Sequence, residues 1–99
     1  MNRDDYENSL ILSLVQALVG AVSPNFRRVS LSLTEDGLRM EFVLKEESVE
    51  DREEIADIYI EFEALMDGPT PADIDVLVTT EELEKIPING RVVFGRKEP

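Results

Sequence analysis

The sequence predicts an α+β protein, a two-layer α/β sandwich in which two helices lie on one face of a four-stranded antiparallel or mixed sheet. Three observations support this fold class: two apolar stripes at helical spacing, two neighbouring segments of apolar–polar alternation, and short connections between the elements. The expected element order is α-β-β-α-β-β. A chain of 99 residues can bury one hydrophobic core, so we expect a single domain over residues 1–99.

The first predicted helix follows an acidic N-terminal segment in which Asp4, Asp5 and Asn8 offer N-caps. Its apolar residues recur at helical spacing: Leu10, Ile11, Leu14, Val15, Leu18 and Val22. We expect it to end near Ser23-Pro24, because the residue before proline disfavours the α conformation. Since apolar residues cover more than half of its circumference, the helix should be mostly buried, or cover the sheet while also meeting a partner.

An antiparallel hairpin is predicted next, over residues 28–34 and 38–45. Apolar residues alternate with polar ones in both segments, as Val29, Leu31 and Leu33 do in the first. Glu35-Asp36-Gly37 forms the turn, where glycine can adopt a positive φ. We expect one face of this hairpin to be buried and the other to be wet.

The second predicted helix spans Ser48 to Met66 and begins at a capping box made by Ser48 and Asp51. Its buried stripe comprises Ile55, Ile58, Tyr59, Phe62, Leu65 and Met66. Gly68 is the predicted C-cap, and the prolines that follow prevent the helix from continuing.

The remaining elements are a third strand at Ile74–Thr79, a one-turn helix at Leu83–Lys85 and a fourth strand at Arg91–Gly95. The third strand is expected to be central in the sheet, because Val76–Val78 is continuously apolar. We expect the tail, Arg96–Pro99, to be loose.

Composition restricts the function. The net charge is −12, from 10 basic and 22 acidic residues. That charge disfavours nucleic acid and anionic membranes and attracts basic proteins, although it is also what a merely soluble protein would carry. The chain has no cysteine and shows neither a signal peptide nor a membrane span, so we expect a cytoplasmic protein.

The sequence offers few residues suited to catalysis or to metal binding. Histidine is absent as well as cysteine, which removes the usual general base and the commonest metal ligands. Asp73 and Asp75 lack the glycine and terminal glutamate of a calcium loop. The scattered arginines, among them Arg27, Arg28 and Arg39, are expected to form internal salt bridges or to orient a partner. We therefore predict no enzyme activity, no metal and no cofactor.

The candidate partner-binding site lies on the second helix. Glu50, Glu54, Asp57 and Glu61 fall at i, i+4, i+7 and i+11, so their side chains lie within about 60° of one another. We call these four residues the acidic ladder. Ile60 projects away from the buried stripe and is the predicted apolar anchor beside it, with Tyr59 and Tyr6 as further candidates. The alternative is that the ladder is only a solvated face.

In its small size, acidity, α/β build and acidic ladder, the chain resembles immunity proteins of bacterial polymorphic toxin systems, of the contact-dependent growth inhibition type. The ending Ile88 to Arg96 is also similar. The resemblance implies a cytoplasmic inhibitor of a cognate toxin, commonly a basic nuclease domain.

Two further classes of function stay open at this point. One is an acidic accessory or scaffold subunit, a homo-oligomer formed through the apolar first helix. The other is an enzyme or small-molecule binder that uses carboxylates buried between helix and sheet. Exposure of the acidic ladder favours the inhibitor over the enzyme, and a large apolar patch on the first helix favours the scaffold.

Overall fold

The computed structural model describes residues 2–98 as two helices and a four-stranded sheet. The elements are α1 (Arg3–Leu18), β1 (Phe26–Thr34), β2 (Gly37–Leu44), α2 (Val49–Leu65), β3 (Ala72–Val78), a one-turn 3-10 helix (Leu83–Lys85) and β4 (Arg91–Gly95). This confirms the α+β class and the order of helices and strands, with the 3-10 helix between β3 and β4.

The described chain forms two compact units, a helical unit of residues 2–22 and 48–71 and a sheet unit of residues 23–47 and 72–98. The helical unit contains α1 and α2, and the sheet unit contains all four strands. The placement of both helices on one face of the sheet, and the single domain, stay predictions. Met1 and Pro99 lie outside the described residues.

The first helix begins and ends at other residues than predicted. Its N-cap is Asn2, whose side-chain oxygen accepts a hydrogen bond from the backbone N–H of Asp5 at 2.9 Å. The helix ends at Leu18, well before Ser23-Pro24. Gly20 adopts a φ of 77°, a left-handed conformation that stops the helix before proline can act.

The second helix begins as predicted, since Ser48 is its N-cap and accepts the backbone N–H of Asp51 at 3.1 Å. At its C-terminal end the prediction of a Gly68 cap is wrong in detail. The left-handed position is taken by Asp67, with a φ of 62°, and the N–H of Gly68 closes the turn onto the carbonyl of Glu63 at 3.1 Å. An aspartate tolerates this conformation better than most residues, which is why no glycine was needed there.

Burial in the helical unit follows the predicted stripes only in part. The fully buried apolar residues are Leu10, Leu14, Ala17 and Leu18 of α1 with Ile55, Ile58 and Phe62 of α2. Tyr59, Leu65 and Met66 of the predicted stripe are half-buried. Tyr59 lies beside Phe62, with ring centroids 6.3 Å apart, and its hydroxyl donates to the carbonyl of Thr70 at 2.7 Å.

The sheet is mixed, with the strand order β3-β2-β1-β4. β1 pairs antiparallel with β2 and with β4, whereas β3 runs parallel to β2. The prediction that the third strand is central is therefore wrong, because β3 is an edge strand. The apolar run Val76–Val78 suggested a strand buried on both faces. In the structure Leu77 is 39% exposed, and the residues on either side of it are half-buried.

The predicted hairpin is confirmed, with β1 and β2 in register from Thr34 opposite Gly37 to Val29 opposite Phe42. One face of the hairpin is buried, and Phe26 meets Phe42 there edge to face at 6.2 Å between ring centroids. The other apolar residues buried on these strands are Val29, Leu31, Leu38, Met40, Val43 and Leu44.

The second face of the hairpin is not uniformly wet, contrary to expectation. Arg28, Ser30 and Val43 are buried there. The Arg28 guanidinium donates to the carbonyls of Ile86 at 3.1 Å and Pro87 at 3.0 Å, so the chain between β3 and β4 covers this part of the sheet. A sequence pattern suggests a surface position for an arginine, but here the guanidinium of Arg28 is buried and donates hydrogen bonds to two loop carbonyls.

The tail is anchored, so the prediction that it is loose is wrong for residues 96–98. The backbone N–H of Arg96 donates to the carbonyl of Arg27 at 2.9 Å, which continues the pairing of β4 with β1. The guanidinium of Arg96 donates to the carbonyl of Pro24 at 2.6 Å, and Glu98 is held by both Arg27 and Arg96. Pro99, the last residue of the predicted tail, lies outside the described residues.

Among the described residues, no helix is both long enough and apolar enough to cross a membrane.

Candidate functional site

The acidic ladder lies along α2 with its carboxylates directed outward. Glu50, Asp57 and Glu61 are exposed, and Glu54 is half-buried. The buried residues Ile55, Ile58 and Phe62 are centred about 100° further around the helix, so the 3.6-residue period separates charge from core as the sequence predicted. Glu50 also accepts a hydrogen bond from the hydroxyl of the capping residue Ser48 at 3.3 Å.

The ladder is not neutralised internally. Among residues 2–98, the ion pairs leave Glu50, Glu54, Asp57 and Glu61 without a basic partner. Other carboxylates of the chain are paired: Glu98 with two arginines, Glu41 with Arg28, and Asp73 and Asp75 with Arg39. The arginines in these pairs all lie in the sheet unit, and none of them reaches the ladder.

Ile60 occupies the exposed side of α2, as predicted, with 64% of its surface accessible. Sequence reasoning missed two neighbours in the same row. Val49 is 66% exposed and Glu53 is exposed, and the spacing 49, 53, 60 places all three along one line of the helix. That line lies about 90° around the helix from the centre of the ladder. The helical spacing could have identified both residues, but only Ile60 was singled out from the sequence.

The two tyrosines are less suited to be anchors than Ile60. Tyr59 is half-buried, and both its ring and its hydroxyl are used inside the helical unit. Tyr6 is 37% exposed and lines a groove between α1 and the C-terminal end of α2, together with Leu12 and Met66. The hydroxyl of Ser13 contacts the sulfur of Met66 at 3.2 Å beneath this groove.

The described residues also bear on metal binding. Within residues 2–98, no three carboxylates are grouped closely enough to hold a metal ion. Asp73 and Asp75, the pair considered in the sequence, point instead toward Arg39 at 3.8 and 3.5 Å.

A comparison with protein families agrees with the resemblance seen in the sequence. The family model described as MafI2 immunity protein matches residues 7–98, a span that begins within α1 and includes α2 and all four strands. No curated protein matches the chain. The match covers nearly the full length of the chain rather than one motif. The chain belongs to the MafI2 immunity protein family.

Proposed function

We propose that this protein neutralises a cognate toxin by binding it, and that the acidic ladder of α2 is the surface that does so. Membership of an immunity protein family supports a toxin as the partner. The observation that carries the rest of the proposal is the row of four carboxylates without internal counter-charges.

The charge distribution favours a basic partner. A net charge of −12 attracts a cationic protein at long range, and an unneutralised ladder gives that attraction a direction. Because the carboxylates stand on a folded helix, binding does not require the ordering of a flexible segment. Such a surface suits rapid capture, which an inhibitor of a toxin needs.

The geometry also suggests the kind of surface on the toxin. The ladder steps by three or four residues, so its carboxylates rise by about 4.5–6 Å at each step along the helix. A toxin that binds polyphosphate carries lysines and arginines along a cleft, and a nuclease is the class that fits. In this proposal Glu50, Glu54, Asp57 and Glu61 occupy the cleft, and Ile60 packs against its apolar rim. The protein acts in the cytoplasm by blocking access and performs no catalysis itself.

The competing interpretation is that the ladder only keeps the protein soluble. Both interpretations predict exposed carboxylates, so exposure does not decide between them. They differ in what happens to toxin binding when salt screens the charges.

The test measures association with the cognate toxin domain, by stopped-flow fluorescence, as salt rises from about 20 to about 500 mM. Steering through the ladder predicts an association rate that falls at least about tenfold over that range, since the Debye length shrinks severalfold. An association rate that ignores salt, or a toxin domain that is not basic, would overturn the proposal. Inhibition of the toxin's activity at a 1:1 ratio provides the functional readout.

A further inference from the structure

The solvent side of α2 carries a second feature beside the acidic ladder. Four exposed apolar side chains fall within about 80° of one another around the helix, a set that we call the apolar strip: Val49, Ala56, Ile60 and Ala64. Val49 and Ile60 are its large members and lie about 16.5 Å apart along the helix. Ala56 is small and lies between them, so a side chain of a partner can insert there.

Neither the core nor solubility accounts for the apolar strip. The core of the helical unit is filled from the other side of α2, by Ile55, Ile58 and Phe62. A helix face that serves only solubility is polar, as the ladder is. One exposed isoleucine is ordinary on a protein surface, but a strip of exposed apolar residues beside a charged face indicates a contact surface.

The position of the strip determines what can cover it. The strip and the ladder are centred about 90° apart around a helix about 10 Å wide, so about 8 Å separates them on the helix surface. Any protein that covers the strip therefore comes close to the carboxylates of the ladder. A second copy of this chain, with its net charge of −12, or an anionic membrane would be repelled there, whereas a basic protein would be attracted.

We propose that the cognate toxin covers the apolar strip together with the ladder, in a groove that has one basic wall and one apolar wall. Because the occupant is the toxin, this proposal rests on the proposed function, and it adds a second chemical requirement to the toxin's surface. The ladder lies against the basic wall. Val49 and Ile60 pack against the apolar wall as two anchors, in the way that an amphipathic helix lies in a groove.

Two charged residues border the strip and set the orientation of α2 in this groove. Glu53 is exposed on the half of the strip nearer the ladder and adds a carboxylate toward the basic wall. Arg52 is exposed on the opposite side of the strip. The acidic surface of α2 therefore lies on one side of the strip only, and the basic wall of the toxin is expected on that side.

The ladder and the strip should act on different rate constants. Charges attract at long range and mainly change the association rate, and that effect is screened by salt. Apolar packing acts only after the two surfaces have docked, so it mainly slows dissociation. The strip should therefore determine how long the complex with the toxin lasts.

The test measures both rate constants for the full chain and the cognate toxin domain. Stopped-flow fluorescence gives the association rate, and displacement by excess unlabelled parent gives the dissociation rate. The double variant Val49→Ala, Ile60→Ala should dissociate at least about tenfold faster than the parent, because both anchors are lost. Its association rate, and the fall of that rate with salt, should match those of the parent.

The matched control removes similar apolar side chains from α1. Leu12 and Val19 are 68% and 77% exposed, so the double variant Leu12→Ala, Val19→Ala loses comparable surface outside the strip. This control should dissociate like the parent. An equal rise of the dissociation rate in both double variants would overturn the proposal. Circular dichroism checks that both variants fold.

Failure of this proposal can be told apart from failure of the proposed function. An association rate of the parent that ignores salt overturns the proposed function. A salt-dependent association rate, together with a dissociation rate of Val49→Ala, Ile60→Ala within about twofold of the parent, overturns the role of the strip alone.

Discussion

Glu98 is bound by Arg27, a residue 71 positions earlier in the chain, through two hydrogen bonds at once. The Nε of Arg27 donates to one carboxylate oxygen at 3.1 Å and its Nη2 to the other at 2.6 Å. The remaining nitrogen, Nη1, donates to the carbonyl of Thr79 at 2.7 Å. Arg27 is 3% exposed, so one buried guanidinium ties β1 to both the tail and the end of β3.

The ion pair between Arg27 and Glu98 makes the free energy of unfolding depend on pH. The hydrogen bonds from Arg27, helped by Arg96, hold the pKa of Glu98 at about 2, below its ordinary value of 4.5. A carboxyl group whose pKa is lower in the folded state than in the unfolded state stabilises the folded protein. Its contribution is complete at pH values above the unfolded-state pKa and is lost as the pH falls toward the folded-state pKa. The stabilising effect should therefore be complete near neutral pH and vanish between about pH 4.5 and pH 2.

Glu98→Gln tests this pH dependence by urea unfolding. The parent should be more stable than the variant at pH 7, and the difference between them should shrink as pH is lowered through that window. Comparing two proteins at each pH cancels the titration of the other carboxylates. A difference that stays constant down to pH 2 would show that the ion pair does not form in solution.

Neutralising the acidic ladder should separate stability from binding. The triple variant Glu54→Gln, Asp57→Asn, Glu61→Gln should be as stable as the parent or slightly more so, because each like-charge pair costs about 0.2–0.5 kcal/mol. Its affinity for the toxin should fall by at least about 2 kcal/mol, since basic residues of the toxin would be buried without counter-charges. Isothermal titration calorimetry measures the affinity for the toxin, and thermal unfolding measures the stability.

The matched control removes the same charge elsewhere. Glu35, Glu81 and Glu84 are exposed and lie in the sheet unit, so changing them to Gln lowers the net charge equally and leaves the ladder intact. The ladder proposal requires this control to bind the toxin nearly as tightly as the parent. Equal losses in both triple variants would mean that net charge, and not the ladder, drives binding.

Phe62→Ala should destabilise the protein by about 3–5 kcal/mol, because the ring is fully buried and its removal leaves a cavity. Ile60→Ala on the same helix should change stability by less than about 1 kcal/mol, since most of Ile60 is already in water. Denaturant unfolding measures both. Similar losses for the two variants would contradict the assignment of buried and exposed faces on α2.

Gly90→Ala should be much more harmful than Gly20→Ala, although both glycines have positive φ values, 90° and 77°. A Cβ on Gly90 would collide with the carbonyl oxygen of Leu31 and lie 2.7 Å from the Cα of Ser32, whereas a Cβ on Gly20 meets nothing within 4 Å. Gly20→Ala should cost about 1–3 kcal/mol from backbone strain alone. Gly90→Ala should cost more, because backbone atoms must move, and comparable melting temperatures would refute this.

The sequence contained most of the local structure. Alternation located the hairpin, and helical spacing located both helices and the outward direction of the ladder and Ile60. The N-cap at Ser48 was also readable, because capping depends on residues only three positions apart. These features depend on short-range geometry, which a single sequence records directly.

Contacts between residues far apart in the chain could not be predicted from the sequence. Nothing near Arg28 indicates that its guanidinium will bind the carbonyls of Ile86 and Pro87, and nothing near Glu98 indicates Arg27. The edge position of β3 was missed for a related reason. An apolar run indicates that a strand is buried, but which strands pair with it depends on the topology of the whole sheet. For the binding site, a single sequence shows the pattern of charges but does not identify the toxin, so the role of the ladder stays a proposal.

The edge position of β3 has a consequence for aggregation. An edge strand exposes unpaired backbone groups onto which another strand can add, and β3 carries Asp73 and Asp75 at alternate positions with both side chains exposed. Charged side chains on an edge strand oppose the addition of another strand to it. An immunity protein must stay available at whatever concentration the toxin demands, and these two aspartates discourage the growth of sheet fibres from its open edge.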